Sequence, residues 1–422
     1  MLTMTGSEIP SDTRAEAIDM RDLAAYPTDR RIVGARCEEG GVIVDWDDGR
    51  QSRFHAVWLR DNCACSACRH PQAMERQFLL IDAPERITIQ EAQTTLGGHL
   101  LVRFGAERPG DAPHVSRFDA GWLRHHCYSD WARAERAWHP RSWNALGNSP
   151  GTALIPTVEY KAVMETDAGL AEWLTAMRDW GVVLLRNAPA EPGEGLRIAG
   201  RVGPVRPTNF GTSYDVVSMP NPNASAYTPI GLEPHTDLAN WRWPPDFQLL
   251  FCVANEAEGG GSILVDGFSA AEELRRCDPE AFDLLSTQPI DFRFQDETCD
   301  IRHRAPAIEL DHAGAFKSIR FNNWLRAALD LPEAKVEPTY RALRTLWGYL
   351  RDPRFQLRPR LAAGEMLAFD NARVLHGREP FDPNTGRRHL QGCYLDRDLV
   401  LSRLRLLERR RMSEGEPKSG PR

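Results

Sequence analysis

The sequence predicts a mainly β protein with supporting helices, divided into a small β-rich N-terminal domain and a larger β-sandwich or barrel. Three observations predict it. The chain has 422 residues, too many for one compact core. Short strand-like runs separated by turn signals dominate residues 31–138, with little helical periodicity. Beyond them, buried strand-like runs are interrupted by a few amphipathic helical stretches.

Taken in order, residues 1–28 read as a flexible leader. "GVIVDW" (41–46) leads into the hairpin turn Asp48-Gly49, and "QSRFHAVWL" (51–59) returns from it. A second such unit begins with "HLLVRF" (99–104), before the turn-rich "GAERPGDAP". The two units share an echo: "SRFHAVWLRDNC" (52–63) and "SRFDAGWLRHHC" (116–127) agree at eight of twelve positions. We read the domain 29–138 as two related halves and 139–155 as a linker.

In the second half, Leu170, Trp173, Leu174, Met177 and Trp180 share a helical face that stops at Gly181. "VVLLR" follows as a buried strand, and "SAAEELRRC" as a helix with Ser269 as its N-cap. "TYRALRTLWGYL" spaces Tyr340, Leu343, Leu346, Trp347 and Leu350 as another helix. "FQLLFCV", "SILVDGF", "MLAFD", "RVLHG" and "HLQGCYL" are strands. "LVLSRLRLLERRR" is an amphipathic helix suited either to a dimer interface or to covering its own domain, and 413–422 has the composition of a disordered tail.

The net charge of −7 gives no basis for nucleic-acid binding. No apolar run suits a secretory signal or a membrane span. Nine cysteines, three of them crowded into 63–68, fit a reducing cytoplasm better than a disulfide framework. Cys63, Cys65 and Cys68 form a tight C-x-C-x-x-C, and thiolates so close together point to structural zinc, which needs a fourth ligand. His70 is the local candidate; His114, His125, His126 and Cys127 are the distant ones.

"EPHTDL" raises a second metal question. At a strand end, period two puts His235 and Asp237 on one face and turns Thr236 away. That pair plus one more histidine makes the facial triad of non-haem Fe(II) sites, with open positions for substrates. Alone, His-x-Asp is a weak signal. His376, after a polar tight turn in "FDNARVLHG", can supply the third ligand, and Arg388 can grip a carboxylate bidentately.

Together with "PPDFQLL", "GGGSILVDGF", "FDNARVLHGR" and "RHLQGCY", these motifs make the chain resemble the γ-butyrobetaine hydroxylase family. That family lies within the taurine-dioxygenase-like Fe(II)/2-oxoglutarate oxygenases. The resemblance covers nearly the whole chain. It implies a double-stranded β-helix (jelly roll) over 156–412, carrying Fe(II), with a zinc domain before it. The co-substrates it implies are 2-oxoglutarate and O₂, with ascorbate as a helpful reductant. It implies His235, Asp237 and His376 as iron ligands, Arg388 and Ser262 for 2-oxoglutarate, and His114 as the fourth zinc ligand.

The resemblance further implies a small quaternary-ammonium substrate held in an aromatic cage, at positions matching Phe210, Tyr214, Tyr227 and Tyr394. Ring faces suit a cation that has no N–H to donate. Asn323 matches the group that binds the substrate's anionic end. This chain departs from the family at Leu238, where animal members carry tyrosine, and at Ala224, where an asparagine is expected. Arg242, between Trp241 and Trp243, is either a packed rim residue or part of altered anion recognition. The reaction expected is hydroxylation of γ-butyrobetaine to L-carnitine. The alternatives are 2-(trimethylammonio)ethylphosphonate, with Arg242 or Arg326 helping the doubly charged head, then trimethyllysine. A catalytically dead binding protein is the reading from another class; the complete triad opposes it.

Overall fold

The computed structural model describes residues 26–106, 112–144, 155–218 and 227–413. Most of the expected leader, much of the expected linker, nearly all of the expected tail, and Ala224 lie outside these residues. The chain forms two compact units, one up to Trp138 and the other from His139.

The first unit consists of two matching halves. Strands Ile32–Glu38, Gly41–Trp46 and Gln51–His55 form an antiparallel meander that runs into the helix Ala56–Asp61. Strands Ile89–Thr94, Leu100–Phe104 and Val115–Phe118 repeat the pattern and run into Ala120–His126. The echoed sequences are thus the same element twice, a third strand turning into a helix. Gly49 takes the positive φ (78°) that its hairpin turn requires. The alternating apolar positions Val42, Val44, Phe54, Leu100, Val102, Phe104 and Phe118 fill one shared core with Trp46, Leu59, Trp122 and Leu123.

The second unit is a sandwich of two sheets, the jelly-roll architecture. Its six-stranded sheet includes Val182–Arg186, Met366–Asp370, Phe247–Asn255, Arg388–Leu395 and Tyr214–Val216 as neighbours in that order. The four-stranded sheet runs Leu232–His235, Val374–Arg378, Ser262–Asp266, Gln356–Leu357. Period two assigns the layers. Leu184, Cys252, Leu367, Phe369 and Leu390 of the large sheet meet Leu264, Leu357 and Val374 of the small one. The alternate residues Val183, Leu185, Phe247, Leu249, Met366 and Ala368 face outward and are covered by helical residues such as Trp173 and Met177.

The helix Asp167–Trp180 starts at Thr166, whose side chain accepts from Gly169 N–H, and ends at Gly181 with φ of 70°. The next helix begins earlier than its composition suggests. It spans Gly267–Cys277 with Asp266 as N-cap, so Ser269 lies inside the helix and does not cap it. The charged oxygen of Asp266 takes the Phe268 N–H, and the competing cap has no free turn left to serve. The helix predicted around 339–350 is also longer, Glu333–Arg351, and packs with the helices of 267–287 over the outside of the small sheet. The terminal helix Arg397–Ser413 buries Val400, Leu404 and Leu407 in its own unit's core. Among the described residues, no helix is long and apolar enough to cross a membrane.

Candidate functional site

In the first unit, Cys63, Cys65, Cys68 and His114 bring four ligand atoms within 4.8 Å of one another. The His114 Nε2 lies 3.2, 3.9 and 3.6 Å from the three sulfurs in that order. Cys63 follows the first helix, Cys65 and Cys68 lie in the turn after it, and His114 enters the second half's last strand. The other candidates are engaged elsewhere. The His70 ring accepts the backbone N–H of Gln72 and Ala73, Cys127 hydrogen-bonds Ser52 and Ser129, and His125 and His126 pack on Tyr26. Hydrogen bonds with Cys65 and Cys68 raise the imidazole of His114 to about 9, and Cys65 is driven toward thiolate by its sulfur neighbours. Three sulfurs and one imidazole nitrogen this close together are a soft four-donor set that fits zinc. Arg60, stacked on Phe78, donates to Cys68 Sγ at 3.1 Å and offsets part of that charge.

The second cluster lies in the second unit, where one strand ends beside another's centre. His235 and His376 are direct partners across the antiparallel pair Leu232–His235 and Val374–Arg378. Side chains directly opposite share a face, and the two rings stand 4.3 Å apart. The strand stops at His235. Asp237 follows in a turn whose next residue, Leu238, has φ of 54°. Thr236 points away, and its backbone N–H donates to Phe321 O.

The Asp237 Oδ1 comes to 3.4 Å from His235 Nε2 and 3.7 Å from His376 Nε2. The His235 Nδ1 donates to Glu233 O at 2.8 Å, which fixes the ring with Nε2 toward Asp237. Burial pushes His376 down to about 4, so its ring is neutral and free to ligate. Burial alone would raise the Asp237 carboxyl, but the histidines and the Tyr394 hydroxyl outweigh it and hold it ionised. Two imidazoles and one carboxylate with their ligand atoms within 4.8 Å of one another fit Fe(II).

Sequence reasoning missed Asn371. Its side chain clamps the Asp237 backbone from both ends: Oδ1 accepts Asp237 N–H at 2.7 Å, and Nδ2 donates to Asp237 O at 3.1 Å and to Pro245 O at 2.9 Å. It stands in the quoted "FDN", directly after the strand Met366–Asp370, and its 1 % exposure was the property the sequence could not display.

Arg388 begins the strand Arg388–Leu395, with its guanidinium over Phe381 and Nη2 donating to Gly260 O at 3.3 Å. Its Nε is buried without a partner, and among the described residues no carboxylate pairs with it. Burial lowers it to about 10, which still leaves it charged. A buried, protonated, incompletely satisfied guanidinium is a receptor for an acid. Ser262 opens the strand Ser262–Asp266, opposite Arg378 and two residues beyond Gly260.

The Tyr394 hydroxyl donates to Asp237 Oδ2, and the Asp237 charge adds to the larger effect of burial in raising the phenols of Tyr214, Tyr227 and Tyr394. Tyr214 and Tyr394 lie ring to ring at 5.4 Å. Phe210 packs edge-on against Phe294, a hairpin residue not singled out from sequence, at 5.4 Å. Leu238 is buried beside the ligand. Asn323 accepts from Arg326 at 3.2 Å, which leaves its amide N–H₂ to donate. The same segment is tied to the His235–Asp237 stretch, with Asn322 donating to Thr236 O and Trp324 edge-on to His235. Arg242 is exposed and stacked on Trp243, an arrangement of the rim.

Residues 144–394 match the model of the taurine catabolism dioxygenase TauD, TfdA family, and residues 35–105 match that of the γ-butyrobetaine hydroxylase-like N-terminal domain. A γ-butyrobetaine dioxygenase from Pseudomonas sp. (strain AK-1) is 41% identical, over 92% of this chain and 99% of its own. The one from Homo sapiens is 34% identical, over 86% and 94%. A trimethyllysine dioxygenase from Meyerozyma guilliermondii is 30% identical, over 90% and 96%. The chain belongs to the TauD, TfdA family and is an Fe(II)/2-oxoglutarate dioxygenase with a zinc-binding N-terminal unit.

Proposed function

We propose that this dioxygenase hydroxylates γ-butyrobetaine to L-carnitine. The observation that carries the reading is the ring pair Tyr214 and Tyr394, 5.4 Å apart, with the Tyr394 hydroxyl on Asp237 Oδ2. Those rings offer π faces to a trimethylammonium group beside the reacting centre, each contact worth about 0.5–2 kcal/mol. The identity to γ-butyrobetaine dioxygenases over nearly their full length supports the same substrate.

In this reading His235, Asp237 and His376 hold Fe(II), which supplies activation of O₂ coupled to oxidation of 2-oxoglutarate to succinate and CO₂. Arg388 grips the distal carboxylate of 2-oxoglutarate with the N–H groups its surroundings leave unsatisfied, and Ser262 helps. Tyr214, Tyr227, Tyr394 and Phe210 fix the cation, and the free amide of Asn323 receives the substrate carboxylate. The cation and carboxylate ends are thereby held apart, which brings one methylene of the chain between them to the iron. Leu238 enlarges the cage on one side relative to a ring. Cys63, Cys65, Cys68 and His114 hold zinc with no open position for substrate. A reducing cytoplasmic setting suits the cysteines, which are all free thiols.

The test is O₂-dependent succinate formation with Fe(II), 2-oxoglutarate and ascorbate, comparing γ-butyrobetaine, 2-(trimethylammonio)ethylphosphonate and trimethyllysine at matched concentrations. Preference for γ-butyrobetaine is expected. Preference for the phosphonate would overturn the substrate and direct attention to Arg326, which already contacts Asn323.

A further inference from the structure

The two oxygens of Asp237 have different surroundings. Oδ1 faces both histidine Nε2 atoms, whereas Oδ2 accepts a 2.7 Å hydrogen bond from the Tyr394 hydroxyl. We propose that Tyr394 is a positioning residue for the iron centre: it occupies Oδ2 so that Asp237 offers a single oxygen, and Tyr214 and Gln248 hold it there. Two rings of the cation cage and an iron ligand would then share one string of side chains in contact. The inference rests on the iron reading given above and reaches beyond it to how the ligand geometry is set.

The sheet register builds this string. Tyr394 lies directly opposite Gln248 on the neighbouring strand, and Tyr214 lies opposite Gly392 on the other side. By period two these residues point to the inner face, as Leu390 and Cys252 do. Gln248 Nε2 donates to Tyr214 Oη at 2.7 Å, and the Tyr214 ring lies 5.4 Å from the Tyr394 ring, which packs Tyr214 beside the donor. Gly392 makes the arrangement possible. A Cβ there would stand 2.2 Å from Tyr214 Cζ and 2.5 Å from its Oη, so the phenol occupies the space a side chain would need.

The chemical consequence follows from counting positions. A facial triad leaves three of six octahedral positions open only when its carboxylate binds through one oxygen. A second oxygen would take a position needed by 2-oxoglutarate or O₂. A buried carboxylate with one free oxygen has no intrinsic reason to stay monodentate, and a short charge-assisted bond to Oδ2 supplies one.

The test uses the full chain with zinc in place and without oxygen, titrating Fe(II) against a chelator of known affinity. Tyr394→Phe keeps the ring and removes the hydroxyl. Fe(II) affinity should fall roughly 10–100-fold, as expected for loss of a partner that orients a ligand. Tyr214→Phe, which leaves the Tyr394 hydroxyl in place without its neighbour, should give a smaller loss in the same direction. Unchanged Fe(II) affinity in Tyr394→Phe overturns the proposal; if that variant fails to fold, unchanged affinity in Tyr214→Phe does so. Loss of Fe(II) affinity alongside failure of every trimethylammonium substrate would sink the substrate reading and support this one. A wild-type chain that binds no Fe(II) would sink the iron reading and this inference with it.

Discussion

Asn371→Ala should damage both stability and metal binding, because one side chain holds the turn that presents Asp237. The variant removes three buried hydrogen bonds, of 2.7, 3.1 and 2.9 Å. At about 1 kcal/mol net for each, the loss is roughly 3 kcal/mol, with more added because the Asp237 N–H is left buried without an acceptor. The clamp also opposes strain, since Leu238 sits at φ 54°, where a non-glycine residue costs about 1–2 kcal/mol. Without Asn371 the turn can relax toward ordinary backbone and swing Asp237 away from the histidines. Urea unfolding of the metal-free chain should show the stability loss, and anaerobic Fe(II) titration a drop of roughly 10–100-fold. Asn371→Asp sharpens the test. It keeps the acceptor for Asp237 N–H but sets an oxygen against the carbonyls of Asp237 and Pro245, so it should be at least as harmful as alanine. A loss under about 1 kcal/mol in Asn371→Ala, with normal Fe(II) affinity, would refute the clamp.

Gly392→Ala should displace the Tyr214 phenol, which a Cβ would approach to 2.2 Å, and raise KM for the trimethylammonium substrate more than KM for 2-oxoglutarate in steady-state assays; equal effects would argue against a cage role. Arg388→Lys should raise KM for 2-oxoglutarate at least about tenfold, because a point charge cannot reproduce the planar fork, while Fe(II) affinity measured by titration stays unchanged. Gly260→Ala should reproduce part of that defect, since its Cβ would lie 2.8 Å from Arg388 Nε and φ of +71° disfavours any side chain. His114→Ala should lower bound zinc, measured by elemental analysis, and lower the melting temperature of the first unit; His70→Ala, whose ring caps its own turn, should keep the zinc.

The parts of this site that were legible in the sequence are those whose geometry is set by period and register. His235 and Asp237 are two residues apart, and alternation anticipates their common side, although Asp237 lies in the turn after the strand and is held there by Asn371. The same rule sorts Val183 from Leu184 and Phe247 from Gln248 into outer and inner layers of the large sheet. The choice of His114 over His70 needed more, because both are chemically competent. Composition does not reveal that the His70 ring is used up by Gln72 and Ala73 N–H groups. Asn371 was hidden for a related reason: a buried asparagine and a turn asparagine look alike until their partners, 134 and 126 residues away, are known. The helix start at Asp266 was misread locally, since Ser269 and Asp266 are both good caps and the choice between them depends on the strand that ends at Asp266.

The same distinction explains why Tyr394 is easy to find as an aromatic and hard to find as a hydrogen-bond donor. Its ring is announced by the strand pattern of "RHLQGCY", which puts Leu390, Gly392 and Tyr394 on one face. Its hydroxyl acquires meaning only from the register that sets Gln248 opposite Tyr394 and Tyr214 opposite Gly392. A one-residue slip of either pairing would put Tyr214 against a side chain instead of a glycine and break the path from Gln248 to Asp237. The proposed cage and the proposed iron ligands are therefore coupled through sheet register. A variant that shifts the edge strand Tyr214–Val216 should weaken Fe(II) binding even though no residue of that strand ligates the metal.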